Sequence, residues 1–122
     1  MNHPEHNEQY ALFKWAYMQS VAYPELNWMH AIPNSVSLRL SPRTGKWAKN
    51  EGKKKGVWDI FLPAPRGPYS GMYIEMKSGK NKLTPEQEKF RNDLEKWYRF
   101  TLCYNWIDAK IAILDYLEGH RF

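Results

Sequence analysis

Apolar residues along the chain follow two spacings, one helical and one alternating. From Glu5 to Ala22, Tyr10, Leu12, Phe13, Trp15, Ala16 and Tyr17 give a broad apolar helical face. Tyr23-Pro24 is expected to end this helix, because the residue before a proline is pushed out of the α region. Asn27 to Ile32 suits a short strand, closed by Pro33-Asn34. The next stretch, Ser35 to Gly56, is polar and basic and suggests only a short helix around Lys46 to Glu51, closed by Gly52. Val57 to Leu62 is a predicted strand. The segment from Pro63 to Gly71 holds three prolines and two glycines and cannot extend its ladder. Met72 to Met76 is extended again, so the two runs suggest an antiparallel hairpin.

A turn-like Ser78-Gly79-Lys80-Asn81-Lys82 follows. Thr84, Pro85 and Gln87 then carry the marks of a helix start: a hydroxyl cap, proline at the first helical position and an amide three residues past the cap. That helix is expected to reach about Tyr98, with Phe90, Leu94, Trp97 and Tyr98 facing the core and Gln87 opening the same face. Phe100 to Tyr104 is the next predicted strand. Trp106 to Glu118 is the last helix, its apolar side near Ile107, Ile111, Leu114 and Tyr116-Leu117 and its stop at Gly119. A helix between the second hairpin strand and the last strand makes a crossover, which favours parallel pairing there. The expected class is α/β: a mixed sheet with helices on both faces, built as one domain over residues 1–122.

Composition narrows the function. Hydrophobic residues make up 43% of the 122, enough for one buried core. No run approaches the roughly 20 apolar residues of a membrane span, and Met1 to His6 lacks the pattern of a secretory leader. The single cysteine, Cys103, sits in an apolar run as core filler. These features suggest a cytoplasmic protein. The formal charge of +5 favours a polyanionic partner. Lys49, Lys53, Lys54 and Lys55 crowd before Asp59, and Lys77, Lys80 and Lys82 crowd after Glu75. A solvated loop would explain each cluster equally well.

An acid, any residue and a lysine occur three times, in Glu51-Gly52-Lys53, Glu75-Met76-Lys77 and Asp108-Ala109-Lys110, so the bare pattern has little specificity. Only the second lies within an apolar strand pattern. Residues two apart in a strand share a face, so Glu75 and Lys77 point one way and Ile74 and Met76 the other. A solvated edge strand would show the same pattern. Asp59, at the head of the partner strand, is where a hairpin would bring it beside Glu75; an acid bonded to a turn is the plainer alternative. Two adjacent carboxylates repel one another, and a divalent cation such as Mg²⁺ or Mn²⁺ removes that penalty. Beside a scissile phosphate, such an ion and a lysine suit phosphodiester hydrolysis. His3, His6, His30 and His120 show no zinc-like spacing.

Gly56-Val57-Trp58-Asp59-Ile60, Ile74-Glu75-Met76-Lys77, Ser78-Gly79 and Leu83-Thr84-Pro85-Glu86-Gln87 together resemble the VRR-NUC branch of the PD-(D/E)xK nuclease superfamily. Weaker agreement comes from Glu5-His6-Asn7-Glu8-Gln9 with Phe13-Lys14-Trp15, and from Ala31-Ile32-Pro33-Asn34. The resemblance implies a restriction-endonuclease-like sheet and a metal-dependent nuclease acting on DNA. It implies Asp59 and Glu75 as ligands, Lys77 as the catalytic lysine and Gln87 as a helix-borne site residue. It also implies a glutamate of the first helix near the metal. Glu5 is chosen because Gln9 shares its face, with Glu8 the rival. The family usually has proline directly before the aspartate, where this chain has Trp58.

The resulting expectation is an Mg²⁺- or Mn²⁺-dependent DNA endonuclease with catalytic residues Asp59, Glu75, Lys77, Gln87 and Glu5 and metal ligands Asp59, Glu75 and Glu5. Lys49, Lys53, Lys54, Lys55, Lys80 and Lys82 would grip phosphates. Members consisting of this domain alone resemble phage-type, dimeric enzymes that cleave four-way (Holliday) junctions, so a homodimer on branched DNA is expected. A flap or single-strand nuclease and a non-catalytic DNA-binding module are the alternatives.

Overall fold

A computed structural model describes residues 4–33, 52 and 54–119. Its elements are helix α1 (Pro4–Gln19), a short 3-10 helix (Pro24–Trp28), strands β1 (His30–Ala31), β2 (Ile60–Leu62) and β3 (Met72–Met76), helix α2 (Pro85–Leu94), strand β4 (Arg99–Cys103) and helix α3 (Trp106–Glu118). The four strands form one sheet in the order β1-β2-β3-β4. β1 with β2 and β2 with β3 pair antiparallel, whereas β3 and β4 pair parallel across the α2 crossover. The expected helix around Lys46 to Glu51, and Lys49 and Lys53, lie outside the described residues.

The two faces of the sheet differ in chemistry. Ile60, Leu62, Met72, Ile74, Met76 and Cys103 point to one face and pack with Leu12 and Ala16 of α1 and Ala109, Ile113 and Tyr116 of α3. Burying such side chains contributes about 1.5–3 kcal/mol each. The opposite face carries a ring cluster. Tyr73 stacks on Phe100 at 5.3 Å, Phe90 of α2 stands edge-on to Tyr73 at 5.0 Å, and Phe61 lies 4.6 Å from Tyr73. Helices therefore cover both faces, α1 and α3 on the aliphatic side and α2 on the aromatic side.

Several boundaries differ from those expected, each for a local reason. α1 stops at Gln19, short of Ala22, and the Ser20 hydroxyl bonds the Tyr17 carbonyl at 2.7 Å. The expected strand from Asn27 to Ile32 shrinks to two residues because Pro24 opens the 3-10 turn. β2 begins at Ile60 rather than Val57, since the Asp59 N–H is drawn to a side chain instead of the ladder. α2 ends at Leu94 and not near Tyr98: the Trp97 carbonyl accepts from Ser70 N–H and the Arg99 N–H bonds Gly71. In α3 the inward residues are Ala109, Ile113, Tyr116 and Leu117, while Ile107 and Ile111 are about half exposed. Tyr116 and Leu117 lie inward as expected, whereas the first half of the helix turns Ala109 and Ile113 inward in place of Ile107 and Ile111.

Gly56 is held at φ +92°, and a Cβ there would lie 2.5 Å from the Glu86 carbonyl oxygen. Gly79 also has positive φ, +58°, but no described atom lies within 4 Å of its missing Cβ. Gly56→Ala is expected to lower unfolding free energy by about 2–3 kcal/mol, combining a backbone penalty with a steric one. Gly79→Ala should cost about 1 kcal/mol. Urea melts of both variants check the difference, and equal losses would contradict the close approach of Gly56 to α2.

Candidate active site

The β2–β3 register pairs Ile60 with Ile74, which sets Asp59 opposite Glu75. Asp59 donates its backbone N–H to Glu75 Oε1 at 3.0 Å. Glu75 follows Tyr73 onto the α2 side of β3 and is 2% exposed. Lys77, just past the end of β3, puts Nζ 3.6 Å from Glu75 Oε2. From α2, Gln87 Nε2 donates to the same oxygen at 3.0 Å. Asp59, Glu75, Lys77 and Gln87 thus meet in one corner.

Gln87 is held by its own helix start. Its Oε1 accepts from Thr84 N–H at 2.9 Å, and its N–H donates to Thr84 Oγ1 at 3.1 Å. This reciprocal capping box satisfies two backbone donors at the helix end. It also orients the amide, because the oxygen end is occupied and the NH₂ end is left to face Glu75.

Burial raises the Glu75 pKa most, and the nearby Asp59 charge adds to it. Lys77 and the Asp59 N–H oppose them, while a carboxyl–carboxyl hydrogen bond with Asp59 raises the value further. The net result pushes Glu75 up to about 8. Two carboxyls sharing a hydrogen bond in a buried corner form an oxygen-donor pair whose ionised state lacks sufficient positive charge. Such a pair suits a hard divalent cation, which binds through one or two carboxylates and completes its shell with water and phosphate oxygens.

The two N-terminal acids occupy different places. Glu5 Oε2 accepts from Ser78 Oγ at 3.1 Å and Asn81 Nδ2 at 3.3 Å, so it ties α1 to the turn behind Lys77. Glu8 Oε1 accepts the Trp106 N–H at 2.8 Å, at the first residue of α3. Among the described residues, no three His, Cys, Asp or Glu side chains gather as a metal-binding group, so Glu5 does not join Asp59 and Glu75. Lys54, Lys55, Lys80 and Lys82 are exposed.

Sequence reasoning missed Trp58, whose buried indole donates from Nε1 to the Gln87 carbonyl at 3.0 Å. The tryptophan in place of proline was the available signal. It also missed Ser78 and Asn81, whose polar side chains fit an ordinary turn.

The fold and its acid–acid–lysine corner, centred on the buried Glu75, define an α/β fold built around charged chemistry at a strand start. The VRR-NUC domain model matches residues 3–106, and the chain belongs to that family, whose membership implies nuclease activity. A solved structure described as a VRR_NUC domain protein is similar with a TM-score of 0.77, covering 98% of this chain and 92% of that one at 24% identity. That likeness supports the fold. No curated protein matches the chain.

The pH dependence of the metal-free protein follows from Glu75. Its folded value lies above the ordinary carboxylate value of 4.5, so the native state holds a proton that the unfolded chain has lost. This stabilisation is complete below the unfolded value and disappears as pH rises through about 8. In EDTA the thermal midpoint should fall by about 10–15 °C between pH 5 and pH 8. Glu75→Gln should flatten most of that fall; scanning calorimetry of both proteins checks it, and parallel curves would contradict the assignment.

Proposed function

We propose that the domain is a metal-dependent deoxyribonuclease of the PD-(D/E)xK type, with Asp59, Glu75 and Lys77 as its acid–acid–lysine set. The observation that carries this reading is the buried Glu75 carboxylate beside the partly buried Asp59 and within reach of Lys77. A buried carboxylate of raised pKa beside a second acid is costly to fold around and more common at working sites than elsewhere. Asp59 and Glu75 would hold Mg²⁺ or Mn²⁺, which supplies phosphate polarisation and a more acidic water. Lys77 would balance the charge growing on the phosphate oxygens as water attacks and the P–O ester bond breaks. Gln87 fixes the Glu75 carboxylate, leaving Lys77 to face substrate. Glu5 acts through Ser78 and Asn81 by holding the turn that follows Lys77. Exposed Lys54, Lys55, Lys80 and Lys82 attract the DNA backbone without reading bases.

The test is cleavage of labelled four-way junction, flap and linear duplex with Mg²⁺, Mn²⁺ or EDTA. Metal-dependent products are expected, with the junction cut fastest. Asp59→Ala and Lys77→Ala should each lower the rate at least about 100-fold. Salt-sensitive binding with no cleavage, unaffected by Asp59→Ala, would support a non-catalytic DNA-binding module instead. Fastest cleavage of the flap would move the preference to flap structures.

The reading extends to a homodimer, whose two sites would suit a two-fold branched substrate. Tyr10, Tyr17, Met18 and Val21 of the α1 region and Ile107 and Ile111 of α3 expose apolar surface that a second copy would cover. Light scattering should give about twice the 14.6 kDa of one chain. A monomeric mass at working concentration would remove the dimer and leave the chemistry untouched.

A further inference from the structure

The residue before Asp59 has a place of its own in this geometry. Trp58 is 1% exposed, although Asp59 and the rest of its segment are only partly buried. A buried indole needs a partner for its N–H, and this one uses the Gln87 carbonyl at 3.0 Å. Its ring stands edge-on to Phe100 at 4.9 Å and 83°. Strict strand alternation would turn Trp58 away from the Asp59 side. The bend at Asp59 instead lets both residues reach the α2 side. Two residues earlier, Gly56 passes so close to the Glu86 carbonyl that only a hydrogen fits between them. The segment from Gly56 to Trp58 is therefore laid along the first turn of α2 and joined to it at two successive residues.

Gln87 then joins three parts of the site. Its carbonyl takes the Trp58 indole, its amide oxygen takes Thr84, and its amide nitrogen holds Glu75. A shift of the first turn of α2 away from the strand start would draw that nitrogen off Glu75 while leaving the capping box intact. The capping box fixes how the amide points; it does not fix where the helix sits. We propose that Trp58 is a positioning residue: its indole N–H sets the spacing between the strand start that bears Asp59 and the helix turn that bears Gln87, and so holds the Gln87 amide on Glu75. Its kinetic consequence rests on the nuclease reading above; its structural consequence does not.

Trp58→Phe keeps an aromatic ring and removes the N–H. A second form, with the Trp58 indole replaced by benzothiophene, exchanges only the N–H for sulfur and keeps the packing. In metal-free protein of either form, hydrogen exchange at the Gln87 side-chain amide, followed by NMR, should rise at least tenfold. In the cleavage assay kcat should fall about tenfold with KM for DNA unchanged. Gln87→Leu should cause a similar fall, and Trp58→Phe added to it should cause no further one, because both remove the same hold on Glu75. Unchanged amide exchange in the benzothiophene form, or losses that multiply in the double variant, would overturn the proposal. If the parent protein proves inactive while Gln87 exchange still rises, the nuclease reading fails and the positioning role stands.

Discussion

A carboxylate with almost no access to water constrains the rest of this structure. Glu75 sits mid-sheet with three donors around it: the Asp59 backbone, the Gln87 amide and the Lys77 ammonium. Those donors favour its ionised form, whereas burial and the neighbouring Asp59 favour the protonated one. The second pair of effects prevails, so the folded chain contains a proton-holding acid where an aliphatic side chain would be cheaper. Each donor arrives from a different part of the chain. The start of β2, the first turn of α2 and the end of β3 must therefore all be correctly placed for one side chain.

Alternation along β3 is what makes this feasible. Ile74 and Met76 flank Glu75 in sequence and point into the aliphatic layer beneath α1 and α3, both essentially inaccessible. A slip of one residue would send Glu75 and Lys77 toward that layer and bring Ile74 and Met76 out to the α2 side. Five residues of β3 pair in register with β4 on one side, and three of them pair with β2 on the other. The site therefore occupies the most constrained strand of the sheet, and the apolar packing that fixes its register also fixes the direction of its acid.

How much of this was legible in the sequence depended on range. The capping box at Thr84-Gln87, the antiparallel hairpin and the parallel crossover are written in short segments, and the structure has them. Asp59, Glu75 and Lys77 converge because two-residue alternation and hairpin pairing are themselves local rules. The start of β2 was not legible, because its length is cut by an N–H that bonds a carboxylate sixteen positions away. The inward face of the first half of α3 was not legible either: Ile107 and Ile111 are as apolar as Ile113, and only packing against β4 and α1 decides which turns inward. Glu5 and Glu8 posed the same difficulty. Three positions apart on one helix, they look alike in sequence, yet one bonds the turn after Lys77 and the other caps α3.

That divergence explains how α1 contributes to the site without lining the acid pair. Glu8 meets the Trp106 N–H where α3 begins, beside the Asn105 side chain that caps the same helix. Glu5 meets Ser78 and Asn81, and Tyr104 closes the far side of that turn through the Asn81 carbonyl at 2.7 Å. One face of one helix turn thus spans two structures, the cap of α3 and the turn that follows Lys77. The turn is fastened to α1 on one side and to the end of β4 on the other. A lysine that must hold its charge at a fixed distance from a buried acid gains from both fastenings, since its backbone also bonds the Cys103 carbonyl at 3.0 Å. The glutamates of α1 restrain the lysine's surroundings, and Asp59 and Glu75 supply the negative charge it faces.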